Sequence, residues 1–339
     1  MTQTLQTEDN VQSPSLPTFD DVRGAAKRIE GLAVKTPLLE SPALNEHVNG
    51  RVLLKAETLQ RTGSFKFRGA YNKISQIPEA DRPGGVVAYS SGNHAQGVAA
   101  AAALLGLPAV IVMPSDAPAI KVENTRGYGA EVVFYDRFTE AREVIGSAIA
   151  KERGATLVPP YDDPRVIAGQ GTCGLEIVEQ TKEKGLALDA LLVCCGGGGL
   201  TAGCALALEA LSPQSRLYTV EPAGYDDTKL SLDAGHPVPH PKAPQSICDA
   251  LLSPQPGDLT FEVNRSRVSA GLAVTDKEVK AAMRYAFRTL KLVVEPGGAV
   301  CLAAILAGKV DAAGRVIALT LSGGNVDAEL YRTVLAEKD

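Results

Sequence analysis

Lys66 stands in RTGSFKFRGA between Phe65 and Phe67, just after a glycine and a serine. A charged lysine is costly to bury among apolar neighbours, so proteins neutralise such a residue or use it. Desolvation lowers the amine's pKa, which leaves it able to form an imine with an aldehyde or to act as a base. The alternative is a strand-edge lysine whose stem lies over two core phenylalanines while its ammonium reaches water. The motif by itself leaves both readings open.

A second chemical signal is CCGGGGLTAG, which follows the apolar run ALLVCC and opens the helix-forming stretch LTAGCALALEAL. Gly196, Gly197, Gly198 and Gly199 remove every Cβ from a loop at a helix N-terminus, so backbone N–H groups can converge on a phosphate. Gly197, Gly199 and Ala202 also fit G-x-G-x-x-A, and Glu221 ends the next apolar run where a ribose-binding acid would lie. An NAD(P)-binding oxidoreductase is therefore a competing reading, although it leaves Lys66 without a role. No GK[ST] follows the glycines, which removes a P-loop.

These residues need elements to position them. From about residue 83, β-branched runs (GGVVAYS, PAVIVM, EVVFY) alternate with Ala-rich helical segments, and ALLVCC, RLYTVE and RVIALTLS continue the pattern. Such alternation predicts an α/β fold with two open parallel sheets, whose ligands bind beyond the carboxyl ends of the strands. Residues 228–270, rich in Pro, Ser and Asp, read as an excursion or interface. With 339 residues, 45% of them hydrophobic, the chain can bury two modest cores.

Lys and Arg total 34 against 39 Asp and Glu, a formal net charge of -5 with no basic stripe, so nucleic acid is not an expected partner. The N-terminal MTQTLQTEDNVQSPSLP has no apolar core; residues 1–17 are expected to be a disordered leader and the protein to be cytoplasmic. Long apolar runs are broken by Gly and Pro, so no membrane span is expected. The six cysteines lack C-x-x-C and zinc-ligand spacing and are expected to be reduced core residues.

Four segments in this order, SFKFRGA (64–70), SSGNHAQG (90–97), GGGGL (196–200) and SGGN (322–325), resemble the fold-type II pyridoxal-phosphate enzymes of the threonine dehydratase and serine racemase family. PPYDDPRVIAGQGT (159–172) strengthens the resemblance, which covers roughly residues 20–335. It implies two open parallel-sheet lobes of the tryptophan-synthase-β-like kind, with pyridoxal 5'-phosphate in the cleft between them. The large domain would comprise 18–82 and 163–339, the small one 83–162.

Residue by residue, Lys66 matches the lysine that carries the cofactor and then removes the substrate's α-proton. Gly196 to Gly199 match the phosphate loop, and Phe65 and Glu295 match residues beside the cofactor. Asn93 matches the residue bonded to the cofactor's phenolic oxygen, and Ser90, Ser91 and His94 match the loop that grips the substrate carboxylate. Ser322 matches the residue facing the pyridine nitrogen, where a hydroxyl cannot hold that nitrogen protonated as a carboxylate would.

The resemblance implies elimination of water from L-threonine or L-serine, giving a 2-oxo acid and ammonia, with 3-hydroxyaspartate dehydration or serine racemisation as alternatives. Ser91 stands where the plain dehydratases often have Ala, as in serine racemase, where the matching serine is an acid/base on the opposite face of the cofactor. VEPAGYDD places Glu221, the carbonyl of Tyr225, and Asp227 where that branch binds Mg²⁺ or Ca²⁺, with Mn²⁺ also compatible. Arg142, in YDRFTEARE, is the candidate for a second substrate carboxylate; the other reading is a solvated helix residue. Ala250, after Asp249, replaces a glycine common in the family and adds a methyl near the cofactor ring. A homodimer is the expected assembly.

Overall fold

The computed structural model describes residues 15–90, 92–117, 119–240 and 245–337. Among the described residues ten strands form two sheets: β1 (Leu38–Glu40), β2 (Arg51–Lys55), β3 (Val86–Tyr89), β4 (Ala109–Pro114), β5 (Glu131–Tyr135), β6 (Thr156–Leu157), β7 (Ala190–Cys194), β8 (Arg216–Pro222), β9 (Ala270–Val274) and β10 (Val316–Thr320). The larger sheet has the order β1-β2-β10-β7-β8-β9, the smaller β5-β4-β3-β6. Every pairing is parallel except β1 with β2. Strands such as β7, ALLVC, are buried along their whole length, as expected where helices cover both faces of a parallel sheet.

Strand order locates the site before any side chain is considered. In the larger sheet the chain runs from β7 outward to β9, then returns to place β10 on the other side of β7. In the smaller sheet it runs from β3 outward to β5 and returns to place β6 on the other side of β3. Each reversal opens a crevice at the carboxyl ends of adjacent strands. The loops that leave those four strands carry Gly196–Gly199, Ser322–Asn325, Ser90–Asn93 and Pro159–Tyr161.

The helix Pro164–Glu183 holds the two regions in register. Asp163 caps it by accepting from the N–H groups of Arg165 and Val166. Its glycines admit neighbours at backbone distance: a Cβ on Gly203, in the helix Gly199–Leu211, would lie 2.3 Å from Gly171 N. A Cβ on Gly169 would lie 2.6 Å from the carbonyl oxygen of Arg68, in the helix Lys66–Ile74. The AGQGT segment therefore fixes both the lysine helix and the glycine-loop helix through contacts that no larger residue permits.

Behind Lys66, Arg68 is fully buried and bonds Glu57 and Glu176, while buried Lys55 also reaches Glu176 at 2.6 Å. Two cations face two carboxylates, so no charge in this network is left uncompensated. All six cysteines are free and buried, as their spacing suggested. Among the described residues no helix is long and apolar enough to cross a membrane. Residues 1–14 of the expected leader lie outside the described residues.

Candidate active site

Lys66 is the first residue of the helix Lys66–Ile74, with Phe65 as its N-cap, so the strand-edge alternative does not hold. Its Nζ donates to Pro160 O at 2.7 Å and lies 5.2 Å from the Phe65 ring centroid. Burial pushes the amine's pKa down to about 8. The positive end of its own helix further disfavours an ammonium here. Close approach of the helix Asn93–Leu104 is possible because its fifth residue is glycine: a Cβ on Gly97 would lie 3.1 Å from Phe67 N.

The glycine loop turns from β7 into the helix Gly199–Leu211. Gly198 has φ +91°, a conformation that favours glycine. Its neighbours leave no room for side chains: a Cβ on Gly197 would lie 2.4 Å from the Tyr161 ring, and one on Gly199 3.0 Å from Tyr161. The loop carbonyls are drawn away from the cleft, since Thr260 Oγ1 donates to Gly197 O at 2.6 Å and Asn264 Nδ2 to Gly198 O at 3.3 Å. The N–H groups of the first helical turn have no intrahelical acceptors, which suits the loop to a phosphate.

Asn93 Nδ2 donates to Glu295 Oε1 at 2.5 Å, while its Oδ1 accepts from Asn325 Nδ2 at 2.8 Å. Asn325 also bonds Thr62 O at 2.8 Å, so the SGGN loop clamps Asn93 in one orientation. Burial pushes the Glu295 carboxyl up to about 7, and its Oε2 has no protein partner. Ser322 is 5% exposed and lies against Cys194, whose thiol burial pushes up to about 11.

Lys66, Phe65, Ser90, Asn93, His94, Arg142, Gly196–Gly199, Glu295 and Ser322 all line one cleft. Ser90 Oγ accepts from Gly92 N at 3.2 Å, which shapes the loop before the helix. His94 turns Nε2 to Val158 O at 2.8 Å and leaves Nδ1 unpaired. Burial pushes its pKa down to about 3, so the ring is neutral and the loop's donors are backbone N–H groups and hydroxyls. Ser91 lies outside the described residues. Ala250 lines the same cleft and is exposed.

Arg142 opens the helix Arg142–Arg153. Its Nε donates to Glu143 Oε1 at 2.8 Å and its guanidinium lies 5.5 Å from the Tyr89 ring centroid. The cleft also holds residues that the sequence alone assigns no role there: Tyr161, from the PPYDD segment, over the glycines, and Lys121 paired with Asp249 at 2.6 Å across the opening. The partners of that pair stand 128 residues apart, so no local signal could have found them. Asn325, which closes the SGGN segment, and Thr260, which no motif marks, act only through neighbours.

Glu221, Tyr225 and Asp227 lie outside this cleft. Glu221 is fully buried and accepts from Thr228 N at 2.9 Å and Lys229 N at 3.0 Å. That leaves the dinucleotide reading without its ribose-binding acid. Asp227 is also fully buried, and neither of its carboxylate oxygens has a protein donor. Burial pushes Glu221 up to about 8, helped by the nearby Asp227, whose own carboxyl rises to about 7.

A Pseudomonas sp. protein named L-threo-3-hydroxyaspartate ammonia-lyase is 49% identical over 320 residues, spanning 94% of this chain and 99% of its own. A serine racemase of Schizosaccharomyces pombe is 43% identical over 322 residues, spanning 95% and 98%. The solved structure of a threonine deaminase from T.th. superposes with a TM-score of 0.86 at 45% identity, covering 92% of this chain and 99% of that one. The family model described as pyridoxal-phosphate dependent enzyme matches residues 29–323. A lysine at a helix start, a glycine loop at a helix N-terminus and a clamped asparagine in one cleft agree with that match, and the chain belongs to the pyridoxal-phosphate dependent enzyme family, with its fold-type II architecture.

Proposed function

We propose that this enzyme is a 3-hydroxyaspartate ammonia-lyase. The cofactor, when bound, supplies an electron sink for the pair left at the substrate's Cα. The α-proton and the β-hydroxyl leave as water, and hydrolysis of the resulting imine gives ammonia and a 2-oxo acid, here oxaloacetate. The net chemistry is that of a carbon–nitrogen lyase, the class to which the ammonia-lyases among its relatives belong.

In this reading the Lys66 amine holds the cofactor and takes the α-proton, which its lowered pKa permits near neutrality. The N–H groups of Gly196 to Gly199 hold the phosphate without a cationic side chain. Asn93, clamped by Glu295 and Asn325, would donate to the cofactor's phenolic oxygen. Ser322 would offer the ring nitrogen a hydroxyl, which cannot keep it charged as a carboxylate would and so would favour prompt departure of a β-leaving group. Ser90 and the neighbouring N–H groups hold the α-carboxylate.

The observation that carries the substrate is Arg142. It stands in the same cleft as Lys66 with Nε engaged by Glu143, while Nη1 and Nη2 have no protein acceptor among the described residues. Two free guanidinium nitrogens suit a bidentate grip on a second carboxylate, which threonine and serine lack. The sequence alone puts threonine or serine first; the 49% identity to a hydroxyaspartate ammonia-lyase favours the dicarboxylic alternative. Arg142→Ala should lower kcat/KM for 3-hydroxyaspartate about 100-fold and that for L-threonine only slightly, about the value of one charge-assisted contact. Equal losses on both substrates would remove the assignment.

We also propose a divalent cation at Glu221 and Asp227. Two buried carboxylates, one with both oxygens unpartnered, make no ion pair among the described residues. No three His, Cys, Asp or Glu side chains group there, so such an ion would need the Tyr225 carbonyl and water as further oxygen ligands.

A further inference from the structure

On the reading that Arg142 binds the substrate's second carboxylate, we propose that Tyr89 is a positioning residue that holds the Arg142 guanidinium against the cleft and so sets selectivity for dicarboxylic substrates. The guanidinium carbon lies 5.5 Å from the Tyr89 ring centroid, within the reach of a cation–π contact. Restraint matters at this position. The Arg142 side chain is 36% exposed, and its ion-pair partner Glu143, at 55%, draws it toward water. Arg142 also borders a second cleft that opens beside the first, so it stands between two spaces that could each take it.

Tyr89 is fixed from two directions. It ends β3, where its backbone is paired with Val112 of β4. Its ring packs on the helix that Arg142 opens, because Gly146 stands one turn further on: a Cβ there would lie 3.1 Å from Tyr89 Cδ1. The residue after Tyr89 is Ser90, the start of the α-carboxylate loop. One rigid side chain therefore joins the loop for the first carboxylate to the cation for the second, and fixes the distance between them. A ring with two side-chain torsions does this at small entropic cost.

The test uses the holoenzyme with Tyr89→Leu and Tyr89→Phe. In Tyr89→Leu the ratio of kcat/KM for 3-hydroxyaspartate over L-threonine should fall about tenfold, the scale of a partly desolvated cation–π contact. The fall should be carried by KM rather than kcat, and the dissociation constant of malonate, read from the cofactor's absorption band, should rise by a similar factor. Tyr89→Phe keeps the ring and should keep the wild-type ratio and malonate affinity. A parallel loss on both substrates in Tyr89→Leu, an unchanged malonate affinity, or a Tyr89→Phe that behaves like Tyr89→Leu would each overturn the proposal. If Arg142→Ala is selective while Tyr89→Leu is not, only this inference fails; if Arg142→Ala is not selective, the substrate reading fails first.

Discussion

On the six-stranded side of the cleft the loop suited to a phosphate is four glycines of bare backbone, whereas on the four-stranded side the lining includes the charged and aromatic side chains of Arg142, Tyr89 and Lys121. Gly196–Gly199 are fenced by Tyr161, Thr260 and Leu251 so closely that an added Cβ meets an atom at 2.4 to 3.3 Å. The Gly171–Gly203 and Gly69–Gly169–Gln170 contacts beneath them are equally close. Across the cleft, Arg142, Tyr89 and Lys121 reach into the same space on side chains. A backbone cradle suits the cofactor's phosphate, which is the same whatever the substrate, because it accepts few substitutions. A side-chain wall suits the part of the ligand that differs between substrates, because exchange of one residue changes it without moving the sheet.

The largest effect should come from the amine on the backbone side. Lys66→Ala should lower 2-oxo acid release by at least ~10²–10⁴-fold, the scale of a lost acid/base group, and abolish the absorption band of the bound cofactor. The wild-type amine also has a pH signature. Burial lowers its pKa to about 8, so the neutral, reactive fraction grows about tenfold per pH unit below that value and levels off above it. Recombination of cofactor-free protein with pyridoxal phosphate should follow this curve. A rate that keeps climbing to about pH 10 would show a solvated, ordinary lysine.

A smaller effect compares two glycines. Gly197→Ala drives a methyl to within 2.4 Å of the Tyr161 ring and should cost ~1–3 kcal/mol while weakening cofactor affinity. Adding Tyr161→Ala should restore part of both. Gly146→Ala, on the other side, meets Tyr89 at 3.1 Å inside a helix, so a helix-propensity gain of ~1 kcal/mol offsets a slight ring shift and the net should be near zero. Chemical denaturation of the three variants measures the contrast; equal costs at Gly197 and Gly146 would erase the distinction between the two walls.

How much of this was legible in the sequence divides along the same line. Four glycines after a buried strand and the alternation of strands and helices are local patterns with local causes, and the structure places them as expected. Lys66 on a helix rather than a strand edge was less visible, because SFKFR carries no strong cap and its helix is held by Gly69 against Gly169 and Gln170, about a hundred residues away. Tyr161 and the Lys121–Asp249 pair are products of tertiary packing and have no periodic or spacing signal. Arg142 could be picked as a candidate, but only the fold shows that β3 and the following helices bring it to the lysine.

The last effect reaches one wall only, and from behind. Cys195, the residue before Gly196, contacts Thr228 Oγ1 at 3.2 Å, and Thr228 N donates to Glu221. A cation held by Glu221 and Asp227 would thus stiffen the base of the backbone wall and leave the side-chain wall alone. Binding only to the folded state, at about 100 times its dissociation constant, it would add ~2.7 kcal/mol, which corresponds to roughly 4 °C in Tm for a chain of this length. EDTA should lower the melting temperature by about that amount, Mg²⁺ should restore it, and Asp227→Asn should abolish the response. The ratio of activities on 3-hydroxyaspartate and L-threonine should not change with EDTA. Melting that is indifferent to EDTA and to added Mg²⁺ would remove the cation, and a shifted substrate ratio would show that the two walls are coupled after all.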